Sequence, residues 1–168
     1  EQTITIHEGD TATDYPGLKV ELPETLHSKE DMQRLYTSFC TDNPQFFFLG
    51  NTYSYEGYRT EGSNTEHYTT ICLVFSMTMA ERRAAEYHLE RQISTILQGV
   101  TANMSEFDRQ LHLHDKLMDI CRYHQEAADS PDPYTAYPDA FSAYGALVKG
   151  SAVCEGYARA MQLLCHRV

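Results

Sequence analysis

The sequence predicts an α+β fold, mostly helical, with one small antiparallel sheet. Three patterns predict it. Apolar residues recur at helical spacing in stretches that open on capping residues. Residues 66–77 alternate strictly instead, as a strand does. Gly, Pro and Asn signals separate the two kinds of stretch. Helices are expected near 29–42, 79–98, 106–126, 140–148 and 153–166, and the antiparallel strands within 45–77.

In chain order, residues 1–23 are rich in Thr and hold two short alternating runs, Thr3–Ile6 and Leu18–Leu22. Tyr15-Pro16-Gly17 reads as a turn between them. An edge hairpin or an ordered arm is expected. Ser28 is placed to cap a helix with Glu30 and Asp31 in its first turn and Met32, Leu35, Tyr36 and Phe39 on its stripe. Asn43-Pro44 ends it, because the residue before proline is pushed out of the α region. Phe46–Leu49 and Thr52–Tyr55 are β-prone, and 56–65 reads as a loop carrying Gly57, Gly62, Ser63 and Asn64. Ile71, Leu73, Phe75 and Met77 then share one strand face, opposite Tyr68, Thr70, Cys72 and Val74. With both faces partly apolar, the strand is expected to be covered on both sides.

Thr78-Met-Ala-Glu81 has the form of a capping box. The helix it opens carries Ala85, Leu89, Ile93, Ile96 and Leu97, with Gly99 as its stop. Ser105 opens the next, whose expected stripe is Phe107, Leu111, Met118 and Cys121. Asn103-Met-Ser105 also satisfies the glycosylation pattern, but capping by Ser105 is favoured. Residues 129–139 hold three prolines and two tyrosines. They form a stiff loop, either a plain connector or the rim of a cleft.

Length and charge exclude some functions. A chain of 168 residues with 42% apolar content buries a real core. No run is apolar enough to span a bilayer. The first residues have neither a basic nor an apolar leader pattern, so a signal peptide was either never made or removed. A net charge of −11 argues against a nucleic-acid partner. The Glu81-Arg82-Arg83 cluster reads as a solvated helix face. Five widely spaced cysteines form no CxxC pair, which leaves a zinc ribbon or a dithiol redox site without support. Cys40, Cys72, Cys121 and Cys165 read as small buried hydrophobes. His112 and His114, at i and i+2, do not share a helix face and make a poor metal pair. Asp108 and His112, at i and i+4, are expected as a surface pair. No metal and no cofactor is expected.

The chemistry concentrates in Phe141–Cys165, FSAYGALVKGSAVCEGYARAMQLLC. Phe141, Tyr144, Leu147 and Val148 share a helix face, and Lys149-Gly150 is a stop. Ser151 is placed as cap of the next helix, with Cys154 in its first turn. Tyr157, Ala158, Met161, Leu164 and Cys165 are its expected buried stripe. The free N–H groups of a first turn favour a thiolate, the reactive form of cysteine. Most helix cysteines are packing residues, but Gly150, Val153-Cys154 and Gly156 together leave room for an acyl chain, or a neighbouring backbone, to approach the thiol.

This stretch resembles the transglutaminase-like superfamily of bacterial type, papain-related cysteine enzymes whose nucleophile opens a helix within a "GxxVCxGYAxAxxxLC" pattern. It stands here as Gly150-Ser-Ala-Val-Cys154-Glu-Gly156-Tyr157-Ala158-Arg-Ala160-Met-Gln-Leu-Leu-Cys165. The match covers about Ser142 to Cys165, and extends more loosely back to the helix before it and, more weakly, to Asn43-Pro44. The resemblance implies Cys154 as nucleophile in a Cys–His–Asp set. Its His and Asp belong to strands downstream of the Cys helix, beyond residue 168. It implies a partial cysteine-proteinase-like fold lacking its downstream sheet. Residues 1–104 would then be an N-terminal α+β region, and 105–168 the start of the catalytic core. The implied reaction is acyl transfer or hydrolysis at a carboxamide or peptide bond through a thioester, with a protein or peptide substrate. The Cys154 N–H is an oxyanion donor, and Tyr144 is the nearest side chain by position for a second. By itself the 1–168 chain is expected to be inactive. The family slightly favours a secreted or cell-surface protein.

No histidine upstream completes a pair by sequence. His166 lies twelve residues beyond Cys154, roughly 18 Å along a helix axis. His67, His88 and His124 stand alone. The competing expectation is a non-catalytic binding or structural module. In that case the thiol is inert and aromatic-rich residues 46–58 and 134–144 contact a partner. A third is assembly with a second chain. If the downstream sheet is missing, the stripe of Tyr157, Met161, Leu164 and Cys165 is left bare. Dimerisation through it, repacking onto 45–77, or poor solubility would follow.

Overall fold

The computed structural model describes residues 1–63 and 65–168, so the expected loop residue Asn64 lies outside the described residues. The fold is mixed α/β, and strand is more extensive than the small sheet expected. The chain divides into two units. One comprises Glu1–Asp42 and Phe48–Arg82, the other Asn43–Phe47 and Arg83–Val168. The boundary expected at 104/105 falls inside the second.

The first unit is a four-stranded antiparallel sheet in the order β1-β2-β4-β3, with one helix. Strand β1 is Gln2–Glu8, β2 Thr11–Leu26, β3 Leu49–Arg59 and β4 Glu66–Phe75. The N-terminal segment is thus a hairpin, but its turn is at Gly9-Asp10, where Gly9 has a φ of 61°. Tyr15-Pro16-Gly17 is not a turn. It lies inside β2, at the point where that strand passes from pairing with β1 to pairing with β4. Gly17 pairs with both Gln2 and Val74, and a Cβ there would strike the Leu73 carbonyl oxygen and Ile4. The glycine marks a close approach of strands rather than a reversal of the chain.

Phe46–Phe48 precede the sheet instead of joining it, and β3 runs on through Glu56–Arg59, which had read as loop. The β3–β4 pairing shifts register between Glu56 and Gly57, so that Glu56 faces Thr70 and Gly57 faces Tyr68. This bulge, with Thr69 as the extra residue, moves Tyr68 onto the Ile71 face and overturns its expected grouping with Cys72 and Val74. Met32 and Tyr36, from helix α1 (Lys29–Asp42), pack with Tyr68 and Ile71. Ile4 of β1 packs with Cys72 and Val74 on the other face. Ser28 caps α1 by accepting from the Asp31 N–H at 3.1 Å, and Leu35 of the expected stripe is 40% exposed.

Helix α2 is Met79–Leu97, opened by a reciprocal box. The Glu81 N–H donates to Thr78 Oγ1 at 3.3 Å and the Thr78 N–H donates to Glu81 Oε2 at 2.9 Å. Arg82 is not a solvated charge: its guanidinium lies 4.9 and 5.0 Å from the Phe48 and Phe75 rings.

In the second unit, Ala85, Leu89, Ile93 and Ile96 of α2 are buried. Helix α3, Glu106–Ile120, is shorter than expected and turns a different face inward. Phe107, Leu111 and Met118 are 71, 46 and 38% exposed, whereas Leu113, Leu117 and Cys121 are buried. Two apolar stripes compete on this helix, and packing against α6 (Cys154–Cys165) selects the second. His112 instead meets the end of α2: its Nε2 lies 2.9 Å from the Ile96 carbonyl oxygen. Asp108 bonds Ser105, so the expected Asp108–His112 pair does not form. After Cys121 the chain becomes the two-residue strand β5, Arg122–Tyr123, paired parallel with β6, Ser151–Ala152. The Arg122 N–H donates to Gly150 O and the His124 N–H to Ala152 O, both at 2.9 Å. These bonds replace the helical ones that Arg122 and His124 would otherwise make, which is why α3 stops short of the expected 126. Short helices α4, Gln125–Asp129, and α5, Pro133–Ala136, follow.

Candidate functional site

The expected helix at 140–148 is a 3₁₀ turn over Pro138–Phe141 and a π turn over Gly145–Lys149. Ser142 joins them. Its hydroxyl donates to Asp139 O at 2.8 Å and accepts from the Gly145 N–H at 2.9 Å. A Cβ on Gly145 would collide with the Asp139 carbonyl, so the wider π turn forms around a glycine. Gly150 ends this turn with a φ of 72°, as the stop signal indicates.

Strand β6 then delivers the chain to Cys154. The Val153 N–H donates to Ala140 O at 2.9 Å. Val153, not Ser151, is the N-cap of α6, and it makes no side-chain cap bond. Cys154 is the first helical residue and is exposed. The inward face is Gly156, Ala160, Leu163 and Leu164. Of the expected stripe only Leu164 is fully buried; Tyr157, Met161 and Cys165 are half-buried and Ala158 is exposed. The sequence reading placed the stripe too near the bulky residues. The closest contact instead uses the small ones, since a Cβ on Gly156 would lie 2.5 Å from Ala140 O. The room beside the thiol is taken by neighbouring backbone.

The residue that reaches the first turn of α6 is one that the sequence did not single out. Tyr134 of α5 donates its hydroxyl to Glu155 Oε2 at 3.1 Å, and its ring packs on Phe141 with centroids 4.2 Å apart. Glu155 also accepts from Arg159 at 2.6 Å, one turn on. Burial, then the Glu155 carboxylate, holds the Tyr134 hydroxyl above its ordinary value. The proline-rich loop therefore lies at the rim of the helix start. Its signal in the sequence was the pairing of Pro133 with Tyr134, which stiffens the backbone that carries the ring.

Tyr144 is 8% exposed and its ring stacks on Phe47 at 4.7 Å, with the Lys149 ammonium 5.6 Å from its centroid. His124 caps α4, its Nδ1 accepting from the Ala127 N–H at 3.2 Å, and its ring lies 4.9 Å from that of Tyr137. It lines a cleft of about 290 Å³ with Asp139, Lys149 and Ser151. His166 is the C-cap of α6, at the far end of the helix from Cys154. His114 bonds Asp115, and no group of three or more metal-binding side chains occurs among the described residues. Cys72, Cys121, Cys154 and Cys165 are free thiols. Cys72 and Cys121 are buried, and burial pushes both thiols up; Cys40 and Cys165 are only half-buried.

No helix among the described residues is long and apolar enough to cross a membrane. No protein-family model matches the chain, and no curated protein matches it.

Proposed function

We propose that this chain carries the nucleophile portion of a transglutaminase-like cysteine enzyme, acting on carboxamide or peptide bonds through a thioester at Cys154. One observation supports the reading above the others. Cys154 is an exposed thiol at the first position of a helix whose N-cap has no side chain to occupy the first-turn N–H groups. Those groups face the charge that develops when a thiolate adds to a carbonyl. The Cys154 Sγ forms a bond to the carbonyl carbon, and the carbonyl oxygen becomes an oxyanion beside the helix start. Collapse expels the amine, which takes a proton from a general acid. The thioester then passes its acyl group to an amine or to water. The His and Asp that the resemblance implies are assigned to chain beyond residue 168, with Tyr144 as the side-chain oxyanion donor.

The test separates the nucleophile from its partners. The 1–168 chain is treated with an activated ester and, separately, with a glutamine peptide plus a fluorescent amine. We expect stoichiometric acylation at Cys154, absent in Cys154→Ala, and no turnover of the carboxamide. Removing the base from such a pair costs several orders of magnitude in rate. Failure to acylate Cys154 refutes the nucleophile. Robust Cys154-dependent turnover refutes the placement of the base beyond 168.

A further inference from the structure

The cleft of about 290 Å³ beside the β5–β6 pair is not used by the Cys154 reading. Its polar lining is His124, Tyr137, Asp139, Lys149 and Ser151, and the rest of its wall is small and apolar. Asp139 is half-buried. Its carbonyl oxygen is turned inward, accepting the Ser142 hydroxyl at 2.8 Å and blocking any Cβ on Gly145. The carboxylate is therefore the part of Asp139 that meets the cleft. Lys149 ends the π turn, with its ammonium 5.6 Å from the Tyr144 ring centroid. Among the described residues, neither the Asp139 carboxylate nor the Lys149 ammonium has a hydrogen bond or ion pair, and they do not pair with each other. Ser151 and His124 share a face. Ser151 stands opposite Arg122 in the parallel ladder, and the His124 N–H continues that ladder to Ala152 O. His124, two residues beyond Arg122, thus falls on the Ser151 side, and buried Ala152 falls on the other. His124 Nδ1 accepts the Ala127 N–H, so the ring proton is on Nε2 and is left to donate.

We propose that this cleft binds a free α-amino acid as its zwitterion. The Asp139 carboxylate takes the ammonium group. Lys149, with the Ser151 hydroxyl and the His124 Nε2–H, takes the carboxylate. An acid and a base that line one cleft without pairing each leave a charge for a ligand to match. A cation alone would meet Lys149 as a like charge. An anion alone would meet Asp139 and a chain of net charge −11. A zwitterion matches both side chains and carries no net charge. Its carboxylate accepts several hydrogen bonds, which Lys149, Ser151 and His124 can supply, and its ammonium donates to a carboxylate. Hydrogen bonds with a charged partner are the stronger kind, and partial removal of water strengthens them further. The volume sits at the low end for a small-ligand site and suits one amino acid. The Tyr137 ring, 4.9 Å from the imidazole, and the small apolar wall are left to meet an apolar side chain. The inference stands independently of Cys154.

Calorimetry and ligand-observed NMR on the 1–168 chain test it, with the proteinogenic L-amino acids as probes. For each one that binds, its N-acetyl derivative removes the ammonium charge and its amide removes the carboxylate charge. The dipeptide Ala-Ala keeps both charges but sets them further apart, so it separates a peptide from a free amino acid. We expect saturable binding of an amino acid with an apolar side chain, weakened about tenfold or more in both derivatives and in the dipeptide. Asp139→Asn should abolish the advantage of the free amino acid over its N-acetyl form. Lys149→Met should abolish its advantage over the amide. Ser151→Ala should weaken binding without changing either preference. Thermal unfolding identifies any variant that fails to fold, and the derivatives decide on the unmutated chain in any case. The proposal is overturned if no amino acid binds, if the N-acetyl or amide form binds as well as the free one, if Ala-Ala binds more tightly, or if folded Asp139→Asn or Lys149→Met keeps the wild-type preferences.

Discussion

The carbonyl oxygen of Ala140 lies 2.5 Å from where a Cβ on Gly156 would be, and the same oxygen accepts the Val153 N–H. One backbone atom thus fixes both the approach to helix α6 and the depth at which its first turn packs. Ala152 Cβ, 2.8 Å from the same point, closes the other side. Gly156→Ala has opposite signs in two settings. In an exposed helix it would stabilise by about 1 kcal/mol. Here overpacking against a backbone oxygen should instead destabilise by about 1–3 kcal/mol. Denaturant unfolding of the variant reads the sign, and a stabilised variant would show that the Ala140 contact is absent.

The thiols should react in order of exposure. Cys154 is exposed, Cys165 is half-buried with its thiol pushed up by burial, and Cys72 and Cys121 are buried with theirs pushed up as well. The thiolate is the species that alkylates. Iodoacetamide under native conditions should therefore modify Cys154 first and Cys165 later, with Cys72 and Cys121 reacting only on unfolding. Peptide mapping by mass spectrometry checks this; early loss of Cys121 would contradict its place beneath α6.

The capping box at α2 gives a pH dependence of known sign. The Thr78 N–H, then the Thr78 hydroxyl, holds the Glu81 carboxyl below its ordinary value. A carboxyl depressed in the folded state contributes stability that is present above its unfolded value and lost as pH falls through the folded one. Acidification below the usual carboxylate range should therefore weaken the start of α2, and Glu81→Gln should remove that part of the pH dependence. Thr78→Ala should cost about 1 kcal/mol at neutral pH. Thermal unfolding of the three proteins between pH 3 and pH 7 (roughly, the range that spans carboxylate titration) measures both effects.

Helix α3 discriminates between its two apolar stripes. Phe107 and Leu111 are exposed, so Phe107→Gln and Leu111→Gln should each change stability by less than about 0.5 kcal/mol. Leu113 is 0% and Leu117 2% exposed, so Leu113→Ala or Leu117→Ala should cost about 2–5 kcal/mol. Equal costs at Phe107 and Leu113 would mean that the helix is rotated.

Local chemistry was legible in the sequence wherever neighbours along the chain decide it. The caps at Ser28, Thr78 and Ser105, the bounds of α1 and α2, and the stop at Gly150 all rest on bonds between residues a few positions apart. Cys154 opens its helix as expected, but behind Val153 rather than the expected cap Ser151. Tertiary structure decided what depends on distant partners. It turned Tyr15-Pro16-Gly17 from a turn into a strand crossing point, because β4 pairs with β2 from Gly17 onward. It ended α3 at Ile120, because Gly150 and Ala152 offer hydrogen-bond partners to residues 122–124. It chose the inward faces of α3 and α6, since a helix with two apolar stripes has no preference until another surface packs on one of them. It also brought Tyr134 to Glu155, because a loop's reach is set by the backbone it meets.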